Sequence, residues 1–298
     1  MFQGFGMKIQ TECVPCLLKR IIYEANLSTT DTAVKTKAIK NACKLLSQLY
    51  DPNECSASIA TKVHKLVYET LGDEDPYKEL KHQSNQIAQS LVPRVEKLIA
   101  QVEDPLKMSM LCAIIGNTMD FGIEGGSDHP EALKETFDHL VDEGLGHDDT
   151  NKVKRLIHNA KQVILFTDNC GEIVFDKILC RELKSFNPNL FLTLVVRGEP
   201  ILSDATSKDA KELQFKEIVN EILTTGCYAV GVDFEKLPNT LKKRLNESDV
   251  VICKGMANYE SFSETSYKPV VYLLRTKCNA IANSMDLPLN SSVVKLYE

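Results

Sequence analysis

An α/β fold built on a mostly parallel sheet, preceded by a helical region, is what this sequence predicts. Three observations predict it. Apolar residues of the first half recur at three- and four-residue spacing, as on buried helix faces. After Val153 the apolar pattern changes to short runs rich in β-branched and aromatic residues. Helical stretches fall between those runs, and strand alternating with helix implies right-handed crossovers within one sheet.

The first stripe is Val14, Leu17, Leu18, Ile21, Ile22 and Ala25, with Thr11 as the expected N-cap and Pro15 tolerable in the first turn. Residues 38–49 and 59–71 repeat the pattern on either side of Asp51-Pro52-Asn53. A longer segment opened by Pro76 carries Leu80, Ile87, Leu91, Val95, Leu98 and Ile99. Pro93 lies inside it and predicts a kink or break. Pro105 introduces the apolar stretch 108–115, and residues 125–149 read as a loop-and-helix connection. The strand candidates are 163–167, 190–196, 228–230, 250–253 and 270–274, with helices expected at 173–183, 210–223 and 237–245. These patterns divide the chain into a helical region over 1–150 and an α/β domain over 151–298 that carries the site.

The chain has 298 residues, 43% hydrophobic and 26% charged, as in ordinary globular proteins. A net charge of −6 argues against a broad nucleic-acid footprint, which needs a basic face. A small anionic substrate stays compatible, because a local metal or lysine reverses the field. No apolar run approaches the roughly 18 residues of a membrane span, and the first residues lack the pattern of a secretory signal. Ten cysteines then read as reduced thiols in a cytoplasm.

Chemistry concentrates where the strand candidates end. The run Val163-Ile164-Leu165-Phe166-Thr167 stops at Asp168-Asn169-Cys170-Gly171-Glu172. A carboxylate and an amide carbonyl are hard oxygen donors for Mg²⁺ or Mn²⁺, and the following helix would point its positive end at an anion. The same two residues also suit a plain helix cap, and both readings stand. Arg197-Gly198 leads to Ser203-Asp204, where Asp204 either completes a three-oxygen set or caps the next helix. Lys254-Gly255-Met256-Ala257-Asn258 follows the fourth strand candidate, and such a lysine beside glycine can bring an ammonium and backbone amides to one phosphate oxygen. Arg275-Thr276-Lys277 adds two more cations at the same sheet end. An aspartyl-nucleophile phosphatase would carry a second Asp at Cys170, and a dinucleotide site needs Gly-x-Gly-x-x-Gly where only Gly171 occurs. Cys13-Val14-Pro15-Cys16 has the spacing of a redox pair or of two zinc ligands, or is simply structural.

These motifs, with Gly116-Asn117-Thr118-Met119-Asp120-Phe121-Gly122, resemble those of the metal-dependent damage-control phosphatases, a family also called acidic-residue methyltransferase-like. The Cys-x-x-Cys pair resembles a mark of its prokaryotic branch. The resemblance implies a Rossmann-like three-layer α/β/α core behind the helical region. It implies one divalent ion (Mn²⁺, Co²⁺, Ni²⁺ or Mg²⁺) held by Asp168, Asn169 and Asp204, with Lys254 joining them as a catalytic residue. It further implies hydrolysis of phosphate monoesters of small metabolites: sugar phosphates, damaged purine nucleotides or their precursors. Expected substrate contacts are Asn117, Asp120, Glu172, Arg197, Gly255, Asn258 and Lys277. The expected partner is thus a small phosphorylated metabolite, not nucleic acid or membrane; oligomeric state is not legible. Two rival readings are a carboxyl methyltransferase and a non-catalytic metal or redox module built on Cys13 and Cys16.

Overall fold

In the computed structural model, residues 7–118, 122, 129–263 and 265–298 are described. Among them the helical region comprises α1 (Cys13–Ser28), α2 (Thr32–Leu49), α3 (Ser56–Leu71), α4 (Lys78–Gln101), α5 (Pro105–Gly116) and α6 (Ala132–Glu143). Local sequence sets several of these bounds. Asp31 accepts hydrogen bonds from the Ala33 and Val34 amides to cap α2, and Asp104 caps α5 by accepting from Lys107. The expected Thr11 cap is not used: α1 begins after Glu12, which makes no side-chain cap bond. Of the kink or break expected at Pro93, the break is absent, since α4 runs through it. Pro93 and Gln89, whose carbonyl loses its intrahelical donor, both lie on the exposed face, so water can satisfy that oxygen.

The remaining elements are β1 (His147–Asp148), α7 (Thr150–Asn159), β2 (Gln162–Phe166), α8 (Glu172–Phe186), β3 (Phe191–Val196), α9 (Ser207–Glu212), β4 (Glu221–Thr224), α10 (Asn239–Glu247), β5 (Val250–Lys254), α11 (Gly255–Phe262), β6 (Val270–Arg275), α12 (Asn279–Met285) and β7 (Ser292–Tyr297). Among the described residues they form a seven-stranded sheet in the order β1-β7-β6-β5-β2-β3-β4. Only the β6–β7 pairing is antiparallel.

Two expectations are corrected on one side of the sheet. The helix expected over 210–223 ends at Glu212, because Gln214 adopts a left-handed conformation (φ 57°), and the chain then passes through a 3-10 turn (Phe215–Glu217) into β4. The strand expected over 228–230 is irregular, its place as the edge strand being taken by β4. Strands β1 and β7 were not expected. β1 is two residues long, and β7 is half-buried from Lys295 onward, so neither shows a strong apolar run.

Side-chain alternation along β2 splits the core into layers. Val163 and Leu165 join Ile114, Phe137 and Phe175 on one face, whereas Ile164 and Phe166 join Leu241, Tyr272 and Ile281 on the other. A third apolar cluster of Ile21, Ala38, Ile59 and Val63 ties α1, α2 and α3 together. Helices α5 and α8 approach closely: a Cβ on Gly116 would lie 2.9 Å from the Glu172 Cα. No helix among the described residues is long and apolar enough to cross a membrane.

Candidate active site

Strand β2 pairs with β3 on one side and β5 on the other. The order of strands reverses there, and open parallel sheets bind ligands at the carboxyl end of such a reversal. Asp168 stands just beyond β2 at that end. Gly171, at φ 81°, then turns the chain into α8, a conformation open to glycine but costly for other residues.

Backbone hydrogen bonds lay the segment after β2 alongside the loop after β3. The Ala205 amide donates to the Asp168 carbonyl at 2.8 Å, the Cys170 amide donates to Ser203 at 2.7 Å, and Asn169 pairs with Asp204 as an antiparallel bridge. Asp168, Asn169 and Asp204 are thereby neighbours, all at most 5% exposed. Arg197 joins the two carboxylates. Its Nε donates to Asp204, and its Nη2 lies 3.4 Å from Asp168 Oδ1. Its Nη1 donates to the Gly231 carbonyl at 2.6 Å and to Asn258 Oδ1 at 3.0 Å. Burial alone would weaken the charged guanidinium, but Asp204 and Asp168 hold it protonated. The second Asp168 oxygen accepts from the Asn117 amide at 3.0 Å and the Asn169 amide at 2.9 Å. Ser203 donates to the Asn169 amide oxygen at 2.6 Å.

Lys254 is fully buried, and its ammonium points towards α5 and α8. Its three donors go to the Ala113 carbonyl at 3.1 Å, to Asp176 Oδ1 at 2.6 Å and to Glu172 Oε1. In this arrangement the lysine positions Glu172 and offers no spare donor to an ester, unlike the direct contact expected of it. Glu172 in turn accepts from the Asn117 amide at 2.7 Å and from the Asn169 backbone at 3.2 Å. Burial, opposed by Lys254 and assisted by Glu172, pushes the Asp176 carboxyl up to about 7.

Of the other expected residues, Lys277 donates to the Asn117 carbonyl at 2.6 Å, and Asn117 is fully buried beside Asp168. Gly255 has φ 72°, and a Cβ there would fall 1.8 Å from Asp168 Oδ2, so only glycine lets α11 start against this carboxylate. Asn258 spends its amide donors on the Thr167 and Lys254 carbonyls, at 2.9 and 2.7 Å. Asp120 lies outside the described residues.

One residue without a local sequence signal also belongs here. Asn85 of α4 accepts from the Gly171 amide at 2.6 Å and donates to Asp209 at 3.1 Å. Asp209 caps α9 with Thr206, so a single side chain of the helical region fastens both loops.

Two carboxylates and an amide carbonyl are the donor chemistry of a hard divalent cation. The Asn117 amide oxygen is a buried acceptor without a hydrogen-bond donor among the described residues. Residues and cation fit. The paired thiols are a different matter. Burial pushes Cys13 up to about 12 and Cys278 up to about 11, with Cys16 adding to both, so the two stay protonated near neutrality. No group of three His, Cys, Asp or Glu among the described residues is arranged to hold a metal.

Comparison with known proteins adds the lineage. The family described as "Damage-control phosphatase ARMT1-like domain" matches residues 9–293. A damage-control phosphatase of Archaeoglobus fulgidus is 38% identical over 292 residues, covering 98% of this chain and 100% of the relative. Damage-control phosphatase PH1575 of Pyrococcus horikoshii is 29% identical over 287 residues, covering 96% and 97%. The crystal structure of that DUF89 family protein superposes with a TM-score of 0.88 at 27% identity, covering 98% of this chain and all of the other. The Rossmann-like α/β architecture is thus shared along the chain's length, and the protein belongs to the ARMT1-like damage-control phosphatase family.

Proposed function

We propose that the protein is a divalent-metal-dependent phosphatase that hydrolyses phosphate monoesters of small metabolites in a cytoplasmic damage-control role. The substrates in view are sugar phosphates and damaged purine nucleotides or their precursors. The observation that carries this reading is the meeting of Asp168, Asn169 and Asp204 at the carboxyl rim of the sheet, around one arginine. Asp168, Asn169 and Asp204 would hold the ion, Mn²⁺, Co²⁺, Ni²⁺ or Mg²⁺. Lewis-acid polarisation of the phosphoryl group is the chemistry such an ion supplies when bound.

The chain's own residues do the rest by positioning and electrostatics, which dominate phosphoryl transfer. Asn117 and Asn169 orient the Asp168 carboxylate through their amide donors. Arg197 holds Asp168 and Asp204 side by side through its guanidinium. Lys254 anchors Glu172 at the start of α8, whose positive end favours the anionic ester. Lys277 adds a second positive charge next to Asn117.

The test is phosphate release from a panel of phosphometabolites with each of the four ions, with chelator, and with Asp168→Ala. Turnover should require an ion and vanish in the variant. A carboxyl methyltransferase would instead bind S-adenosylmethionine without metal. Absence of ion-dependent turnover on every ester would defeat the phosphatase reading.

A further inference from the structure

A second polar cluster lies beside this site, where the helical region meets the α/β domain, and the reaction as described does not use it. Glu24 of α1 and His64 of α3 are 0% and 1% exposed. The His64 Nδ1 lies 2.8 Å from Glu24 Oε1, yet among the described residues neither atom has an aligned hydrogen-bond partner, and Glu24 Oε2 has none at all. One turn beyond His64, Tyr68 packs edge-on against Tyr228, with ring centroids 5.8 Å apart. The Tyr228 hydroxyl is buried and has no hydrogen-bond partner among the described residues, while the residue as a whole is half-buried. Burial, and after it the Glu24 carboxylate, pushes both phenols up, so both remain donors.

The cluster adjoins the cation corner. Tyr68 accepts from the Leu202 amide at 3.1 Å, two residues before Asp204. Thr61 of α3 accepts from the Val230 amide at 2.9 Å, and the next carbonyl, Gly231, is the one that Arg197 grips. Leu202 itself is held at φ 48°. Buried polar atoms without partners are expensive, and a fold keeps them where a ligand completes them.

We propose that Glu24, His64 and Tyr228 form a subsite for the hydroxyl-bearing part of the phosphate ester. The proposal rests on the phosphatase reading and extends it. A carboxylate accepts from several hydroxyls at once and repels phosphate, so it also fixes which end of the ester faces Arg197. Tyr228 donates to a substrate oxygen, and His64 holds Glu24 in place. An apolar leaving group would leave the Tyr228 hydroxyl and the second Glu24 oxygen unsatisfied.

The experiment compares wild type, Tyr228→Phe and Glu24→Gln in the full chain with saturating divalent ion. The substrates are a hexose or pentose phosphate and p-nitrophenyl phosphate, and thermal unfolding is followed in parallel. Removing an unpartnered hydroxyl leaves Tyr228→Phe at least as stable as wild type. Its ratio of kcat/KM, sugar ester over aryl ester, should nevertheless fall about tenfold, carried by KM, as one lost hydrogen bond predicts. Glu24→Gln keeps the shape and should lower the same ratio by at least as much. An unchanged ratio in both variants, with wild type active on both esters, overturns the subsite alone. Wild type inactive on both esters overturns the subsite, and wild type inactive on every ester of the phosphometabolite panel overturns the phosphatase reading with it.

Discussion

Replacing Lys254 by Met tests the buried charge cluster most directly. The side chain is fully buried, and its ammonium serves one carbonyl and two carboxylates. Methionine fills similar space but leaves Glu172 and Asp176 facing each other without a cation. Breaking a buried ion pair by removing one partner costs about 3–5 kcal/mol. For a chain of this size each kcal/mol shifts Tm by roughly 2 °C, so a drop of roughly 6–10 °C is expected. The loss has a sign in pH. In wild type the folded-state Asp176 carboxyl titrates at about 7, above its ordinary 3.8, so its contribution to stability declines across that interval and then levels off. Without Lys254 the same carboxyl keeps its proton to higher pH. The gap between variant and wild type should therefore widen above pH 7, by up to about 1.4 kcal/mol per pH unit. Urea unfolding at pH 6, 7 and 8.5 measures it. A variant as stable as wild type, or a gap independent of pH, would refute the reasoning.

Three further outcomes follow from the geometry. Gly255→Ala brings a methyl group against Asp168 and strains a left-handed backbone; phosphate release should fall at least a hundredfold, with about 1–3 kcal/mol lost in urea unfolding. Asn85→Ala orphans the Gly171 amide at a cost of about 1–3 kcal/mol and should raise the ion concentration needed for half-maximal turnover. Asp149 is opposed by burial, but Lys152, the Leu296 amide and His147 hold its carboxyl down to about 2. Its contribution is present above the ordinary 3.8 and is lost as pH falls through about 2, so Asp149→Asn should flatten acid unfolding in that window, read by far-ultraviolet circular dichroism.

Legibility in the sequence followed burial. Strand β2 stood out because both of its faces are covered and its run is uninterrupted. Edge strand β4, half-exposed throughout, and the two-residue β1 carry no such run, and a helix was expected where β4 lies. The same contrast holds in the site. Asp168, Asn169 and Asp204 were legible because strand ends are local features, and adjacency then followed from the parallel order. The direction of Lys254 was not, since it depends on α5 and α8 packing beneath β5. Asn85, Glu24 and His64 sit on ordinary amphipathic helices. Only the packing of those helices brings Asn85 to the active-site loops and Glu24 to His64.

Strand β7 occupies an interior position, between β6 and the short β1, although it is the last strand along the chain. On the ribosome β1 emerges long before the neighbour it pairs with, so this rim of the sheet must wait, open, until β7 threads in beside β6. Chaperone dependence and misassembly should concentrate there, and nascent chains arrested just short of residue 292 should be far more protease-sensitive than released ones.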